Sequence, residues 1–137
     1  MYTLRSDTAF QFVTTADQFD QLLAASAHGP VVLFKHSPTC GTSAQAYDEM
    51  DDLLRSAPGL VIHLVDVLAS RPLSREIAAK VSVRHESPQV IILRDGRVVW
   101  HGSHWRVTQD EVRRAIEAAS RPSGDGADRK STRLNSS

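Results

Sequence analysis

The strongest constraint on the fold is a set of short apolar runs separated by helical segments. "VVLFKH" (Val31–His36) opens with four apolar residues, and "LVIHLVDV" (Leu60–Val67) and "QVIIL" (Gln89–Leu93) are similarly apolar. Runs of this length without polar alternation are typical of strands that are covered on both faces. The chain is therefore predicted to form a central sheet packed between helices.

The segments between these runs carry helix signals. Thr15 followed by Gln18 is a capping-box pattern, and apolar residues at helical spacing come after it. This pattern predicts a helix over Thr15–His28, which Gly29 and Pro30 end. Three further helices are predicted: one from about Cys40, one over Pro72–Ser82, and one capped by Thr108 and Glu111.

The remaining strands complete the architecture. Ala9–Val13 alternates as a short strand, and the turn Asp95-Gly96 joins Gln89–Leu93 to Val98–His101 as a hairpin. The order β-α-β-α-β-α-β-β-α begins with βαβ units, which need parallel strands and right-handed crossovers. The sequence thus predicts one α/β domain over residues 1–120, with a mixed four- to five-stranded sheet flanked by helices.

Composition excludes several partners. The formal net charge is +0, whereas a nucleic-acid or acidic-membrane partner calls for a basic face. No apolar run has membrane-spanning length, and the first ten residues lack the apolar core of a signal peptide. One cysteine cannot form an internal disulfide. We therefore expect a cytoplasmic protein without nucleic-acid or membrane partners.

The end of the chain differs in composition from the rest. Residues 121–137 have no periodicity and almost no apolar side chains, which predicts a disordered tail. Residues 128–137, "DRKSTRLNSS", also match the translation of a common sequencing-adapter string. We interpret these ten residues as read-through and leave them out of the fold prediction.

The single cysteine, Cys40, lies where a predicted strand gives way to a predicted helix. Unpaired backbone N–H groups and the positive end of the helix dipole gather there, and they lower a thiol pKa from its usual ~8.5. Residue type alone fits a buried, inert thiol equally well. The position and the polar neighbours favour a nucleophile; these neighbours are Ser37, Thr39, Thr42 and Ser43.

The motifs around this cysteine resemble a known family. The element order is similar to that of the thioredoxin superfamily, and the motifs more closely resemble the YtxJ-like monothiol bacilliredoxins. The shared stretches are "FKHSPTC", "SAQAYDEM", "HESPQVIILRDGRVVWH", and "SHW" before a Thr-capped helix. The resemblance covers roughly Phe10–Ala118, and it implies a cis peptide at Ser87-Pro88 beside Cys40.

The resemblance implies a stress-related thiol–disulfide oxidoreductase. Cys40 would attack a protein–bacillithiol disulfide and leave carrying bacillithiol, which is a co-substrate rather than a bound cofactor. Free bacillithiol, a partner protein or a dedicated disulfide reductase would then release the thiol. Ser87 and Pro88 would hold the incoming disulfide. The other implied substrate-binding residues are Thr39, Gly41, Ser43, His36, His104 and Trp105, with Arg106 as a further polar contact.

Two other functions compete with this interpretation. The family usually carries TCPIS, whereas this chain has "TCGTS" over residues 39–43, which also resembles the CGFS motif of monothiol glutaredoxins. Those proteins use glutathione and share an iron–sulfur cluster, but their Gly-Gly-x-Asp segment is replaced here by "HGSHWRV". The other alternative is a non-catalytic thioredoxin-like binding or stress-associated module.

Several single residues also have structural interpretations. His36 at a strand end is typical of a structural residue, and His104 and Trp105 would serve equally well to pack the last helix. Trp100 is interpreted as packing, and Asp66 as either a buried proton acceptor or a helix-capping residue. The six histidines show no metal-binding spacing, so no zinc site is predicted.

Overall fold

The computed structural model describes residues 9–38 and 41–121. Thr39 and Cys40 lie outside the described residues. So do residues 122–137, which include nearly all of the predicted disordered tail and the whole of its suspected adapter-derived segment.

The described residues form five strands, four α-helices and one 3-10 turn, in the predicted order. The strands are β1 (Ala9–Phe12), β2 (Val31–His36), β3 (Val61–Asp66), β4 (Gln89–Arg94) and β5 (Arg97–Ser103). The helices are α1 (Ala16–Ala25), α2 (Gly41–Ser56), α3 (Arg71–Val81) and α4 (Gln109–Ala119), and the 3-10 turn is His104–Arg106.

Local chemistry explains where the elements begin and end. Thr15 caps α1, because its hydroxyl accepts from the backbone N–H of Gln18 at 3.1 Å. The helix ends at Ala25 rather than at the predicted His28. The hydroxyl of Ser26 turns back onto the carbonyl of Leu23 at 2.6 Å, and the chain leaves the helix there.

The sheet is mixed, as predicted, and it has the order β1-β3-β2-β4-β5. Strands β1 and β2 pair in parallel with β3, whereas β4 runs antiparallel to β2 and β5 antiparallel to β4. Strand β5 is longer than predicted, since its pairing with β4 continues until Ser103 lies opposite Gln89. This register brings the end of β5 to the same edge of the sheet as the start of β4.

Two apolar cores cover the two faces of the sheet. Phe34 of β2 packs with α2 and α4 on one face, and its neighbour Leu33 packs with α1 and α3 on the other. Burial on both faces explains why the strand sequences do not alternate. Lys35 is the exception in β2, because it is a charged residue with 0% exposure.

Among the described residues, none of the helices combines the length and the apolar character needed to cross a membrane.

Candidate active site

One edge of the sheet gathers the residues that the sequence singled out. The carboxyl ends of β2 and β3 lie there, with His36 opposite Asp66. The start of β4 and the end of β5 lie at the same edge, with Gln89 opposite Ser103. Helix α2 begins at Gly41, five residues after β2 ends at His36. The edge is therefore a strand–helix junction flanked by the loop that precedes β4.

A buried hydrogen bond stabilises the junction between β2 and α2. Ser43 is fully buried, and its hydroxyl accepts a hydrogen bond from the backbone N–H of Ser37 at 3.3 Å. This contact ties the first turn of α2 to the loop. Gly41 is exposed, and a Cβ added to it would meet nothing within 4 Å. Ser43 thus shapes the junction, and Gly41 leaves its surface open.

The Ser87-Pro88 peptide is cis, as the resemblance implies. Pro88 is buried, and Ser87 is half-buried. The buried hydroxyl of Ser87 has no hydrogen-bond partner among residues 9–38 and 41–121. The carbonyl of Pro88 accepts from the backbone N–H of His104 at 3.0 Å. The loop before β4 and the 3-10 turn after β5 are consequently joined by backbone.

The 3-10 turn presents two large side chains to solvent. His104 is exposed and has a left-handed φ of 54°. Trp105 is 70% exposed, so packing against the last helix does not account for this residue. Arg106 lies over the ring of Trp100 at 5.3 Å and pairs with Glu111 at 3.6 Å.

The ring of Trp100 is half-buried against the core on the α2 and α4 face, which confirms its packing role.

His36 is half-buried between two aromatic rings. Its ring centroid lies 5.6 Å from that of Phe34 and 5.2 Å from that of Tyr47. Its buried Nδ1 atom has no hydrogen-bond partner in the described part of the chain. Burial lowers the pKa of His36, and the carboxylate of Asp66 opposes this effect. At neutral pH the uncharged ring is therefore favoured.

Asp66 has a local structural role. Its Oδ1 atom accepts from the backbone N–H groups of Leu68 at 3.0 Å and Ala69 at 3.1 Å. The carboxylate therefore stabilises the turn after β3 and does not cap a helix, so the helix-capping interpretation was wrong. Helix α3 itself begins later, with Ser70 at its N-cap position.

Two buried polar side chains that the sequence did not single out lie beside this edge. Lys35 places its Nζ atom 3.1 Å from Nδ1 of His85. Gln89 is 1% exposed, and its Nε2 atom donates to the carbonyl of Arg84 at 3.0 Å. A lysine inside an apolar strand run was the available signal for the first of these contacts. The partners could not be read from the sequence, because they depend on the fold.

A third missed contact involves Glu86, just before Ser87. Its carboxylate accepts a hydrogen bond from the hydroxyl of Ser103, at the end of β5. This bond lowers the pKa of Glu86 although desolvation opposes it, and the electrostatic influence of His104, Arg84 and His101 acts in the same direction as the bond. The rim of the site therefore holds an ionised carboxylate among basic side chains.

No group of three or more His, Cys, Asp or Glu side chains suited to a metal ion occurs within the described ranges.

The mixed five-stranded sheet and its flanking helices define a thioredoxin-fold protein, and the family match supports a thiol redox role for it. The chain belongs to the monothiol bacilliredoxin family BrxC, whose model matches residues 11–112. A solved structure of a candidate oxidoreductase with a thioredoxin fold is 32% identical, covering 80% of this chain and 95% of the other, with a TM-score of 0.70.

Thioredoxins share the fold at lower identity. Fasciola hepatica thioredoxin is 16% identical, covering 80% of this chain and 99% of its own, with a TM-score of 0.64. Spinach chloroplast thioredoxin f is 21% identical, covering 82% and 94% respectively, with a TM-score of 0.63.

Proposed function

We propose that this protein removes bacillithiol from S-bacillithiolated cytoplasmic proteins through a mixed disulfide at Cys40. The observation that carries the proposal is the arrangement of one sheet edge. The β2–α2 junction, the cis Ser87-Pro88 peptide and the 3-10 turn His104–Arg106 all lie there. The family match and the single cysteine support the monothiol form of the chemistry.

The reaction has two exchange steps. The Cys40 thiolate attacks the bacillithiol sulfur of the protein disulfide. A new sulfur–sulfur bond to Cys40 forms, the old one breaks, and the protein leaves as a thiolate that takes a proton from water. A second thiolate, from free bacillithiol or a reductase, then attacks the bacillithiol sulfur on Cys40. This step releases an external disulfide and restores the Cys40 thiolate.

The residues at the edge have distinct proposed roles. Ser87 and Pro88 hold the incoming disulfide, and the hydroxyl of Ser87, which has no partner among the described residues, is a donor for it. The exposed side chains of His104 and Trp105 contact the modified protein or the bacillithiol carboxylates. His36, Thr39, Gly41 and Ser43 complete the set, with Ser43 acting through the loop that it holds. No bound cofactor takes part.

The test uses a carrier protein with one bacillithiol mixed disulfide. It is incubated with the wild-type protein or with Cys40→Ser, and intact masses are recorded over time. We expect the carrier to lose the adduct and Cys40 of the wild type to gain it, whereas Cys40→Ser leaves the carrier unchanged.

The same carrier bearing glutathione is the matched control. Transfer of glutathione alone would favour the glutaredoxin function. Transfer of neither thiol would favour a non-catalytic module.

A further inference from the structure

Lys35 and Gln89 form a buried polar pair beneath the loop that precedes β4. They lie directly opposite each other in the register of β2 and β4. Register partners project their side chains to the same face of a sheet. Lys35 is 0% exposed and Gln89 is 1% exposed, so the two polar groups share one dry environment.

Both side chains reach the same three-residue segment, Arg84–Glu86. Lys35 contacts Nδ1 of His85 at 3.1 Å. The Nε2 atom of Gln89 donates to the carbonyl of Arg84 at 3.0 Å, and its Oε1 atom accepts from the backbone N–H of Glu86 at 3.4 Å. Lys35 and Gln89, which belong to the sheet, therefore hold all three residues of this segment in place.

The segment leads directly into Ser87 and Pro88. Glu86 is bonded to Ser87, and its side chain is also held by Ser103. Pro88 is held on its other side by the backbone N–H of His104. Any loosening of Arg84–Glu86 is therefore transmitted along the backbone to the cis peptide.

Stability does not explain the lysine. The described residues give Lys35 no carboxylate partner, and burial lowers its pKa to about 8. A buried charge without an ion pair disfavours folding, and an apolar residue of the same length would pack there without this penalty. Packing alone would therefore favour methionine or leucine at this position.

We propose that Lys35 and Gln89 are positioning residues that hold Arg84–Glu86, and through it Ser87 and Pro88, in the geometry that receives the substrate disulfide. This inference rests on the proposed function, because that function gives Ser87 and Pro88 their role. Neither side chain touches the reacting sulfur atoms in this scheme.

The charges of Lys35 and His85 decide whether their contact forms. When Lys35 is protonated its ammonium group can only donate, so Nδ1 of His85 must belong to a neutral imidazole. Desolvation of its ring lowers the pKa of His85, and the positive charges of Lys35 and of Arg75 on α3 lower it further, whereas Glu86 opposes them. Protonation of His85 in acid would place two cations 3.1 Å apart and break the contact.

The experiment compares Lys35→Met with wild type on two reagents. The first is the carrier protein with a bacillithiol mixed disulfide, whose binding depends on the loop before β4. The second is iodoacetamide, a small reagent that alkylates Cys40 and does not need to bind to the loop before β4. We expect exchange to fall by about tenfold or more, because small displacements of a binding loop slow oriented reactions, and alkylation to change by less than about twofold.

Two further variants make the result decisive. Lys80→Met removes a lysine on α3 that pairs with Asp20 and Glu76, and it should leave both rates unchanged. His85→Leu removes the exposed partner of Lys35 and leaves Lys35 itself in place, and it should slow exchange in the same way.

An NMR titration checks that the contact between Lys35 and His85 exists in solution, and the split between exchange and alkylation rates distinguishes positioning from simple structural support. In Lys35→Met the pKa of His85 should rise, because the cation facing it is gone. Unchanged exchange in both Lys35→Met and His85→Leu would overturn the inference while the proposed function stood. A wild-type protein that transfers no bacillithiol would instead overturn the proposed function, and with it the role assigned to the loop.

Discussion

The backbone N–H of His104 donates a hydrogen bond to the carbonyl of Pro88 at 3.0 Å. This bond joins two segments that are separate in sequence, the cis-proline loop before β4 and the 3-10 turn after β5. His104 also adopts a left-handed backbone conformation, with a φ of 54°. The geometry of the site therefore depends on the backbone of His104 as well as on its imidazole.

The two contributions of His104 can be separated by substitution. Glycine adopts a left-handed φ without penalty, so His104→Gly should keep the bond to Pro88 and change stability by less than about 1 kcal/mol. Its exchange rate should still fall several-fold, because the imidazole is lost. His104→Val should lose stability as well, since a β-branched residue is disfavoured at positive φ.

Urea unfolding and exchange with the carrier protein measure these effects. An exchange rate for His104→Gly equal to that of wild type would show that the imidazole takes no part.

Trp105 should matter for binding and hardly at all for stability. The side chain is 70% exposed, so Trp105→Ser should change the free energy of unfolding by less than about 0.5 kcal/mol. We expect KM for the bacillithiolated carrier to rise, because an exposed aromatic ring on the rim supplies contact area to a protein partner. Alkylation of Cys40 should be unchanged.

Val99→Ser is the matched control, since Val99 is a 48% exposed apolar residue on the same hairpin. An equal rise in KM for both variants would argue against a specific contact at Trp105.

Gly102 should not tolerate a side chain. A Cβ at this position would lie 2.6 Å from Cη2 of Trp100 and 3.3 Å from Cβ of Arg106. Gly102→Ala should therefore displace the indole and the guanidinium that lies over it, and lower the free energy of unfolding by about 1–3 kcal/mol. Tryptophan fluorescence and urea unfolding report the two changes.

Gly29→Ala is the control, because an added Cβ there meets nothing within 4 Å. That change should be close to neutral, or slightly stabilising through the unfolded chain. Equal losses in the two variants would mean that the contact with Trp100 is not the cause.

Lys35→Met should stabilise the protein, and the gain should depend on pH. The pKa of Lys35 falls from 10.5 to about 8 on folding, so below pH 8 the folded state must hold a buried charge. Between those values the unfolded chain binds the extra proton, and wild-type stability rises with pH. The gain should reach at most about 3 kcal/mol at pH 7 and shrink towards pH 10.

Urea unfolding at several pH values measures the difference between variant and wild type. A Lys35→Met protein that is less stable than wild type at pH 7 would contradict the charge-burial account. Greater stability combined with slower exchange would distinguish a positioning residue from a structural one.

Local patterns predicted most of the fold. The capping box of Thr15 and Gln18 located the start of α1, and unbroken apolar runs identified the central strands, because these signals involve neighbouring residues. Element ends were less predictable. Helix α1 stops at Ala25 where a serine hydroxyl competes for a carbonyl, and β5 extends to Ser103 because β4 offers it a partner.

Part of the candidate site was likewise predictable from the sequence, and part was not. The motif around Cys40 and the family resemblance pointed to Ser87, Pro88, His104 and Trp105. The alternative of packing for Trp105 was open until the structure showed the side chain in solvent.

By itself, the sequence determined the order of elements, the two-sided burial of the central strands and the single thiol at a strand–helix junction. Only the tertiary structure decided that Lys35 meets His85, which is 50 residues away, or that Pro88 is held by His104. The physical reason is that both contacts depend on sheet register and on loops folding back over one edge. Local sequence propensities do not determine which distant residues come into contact.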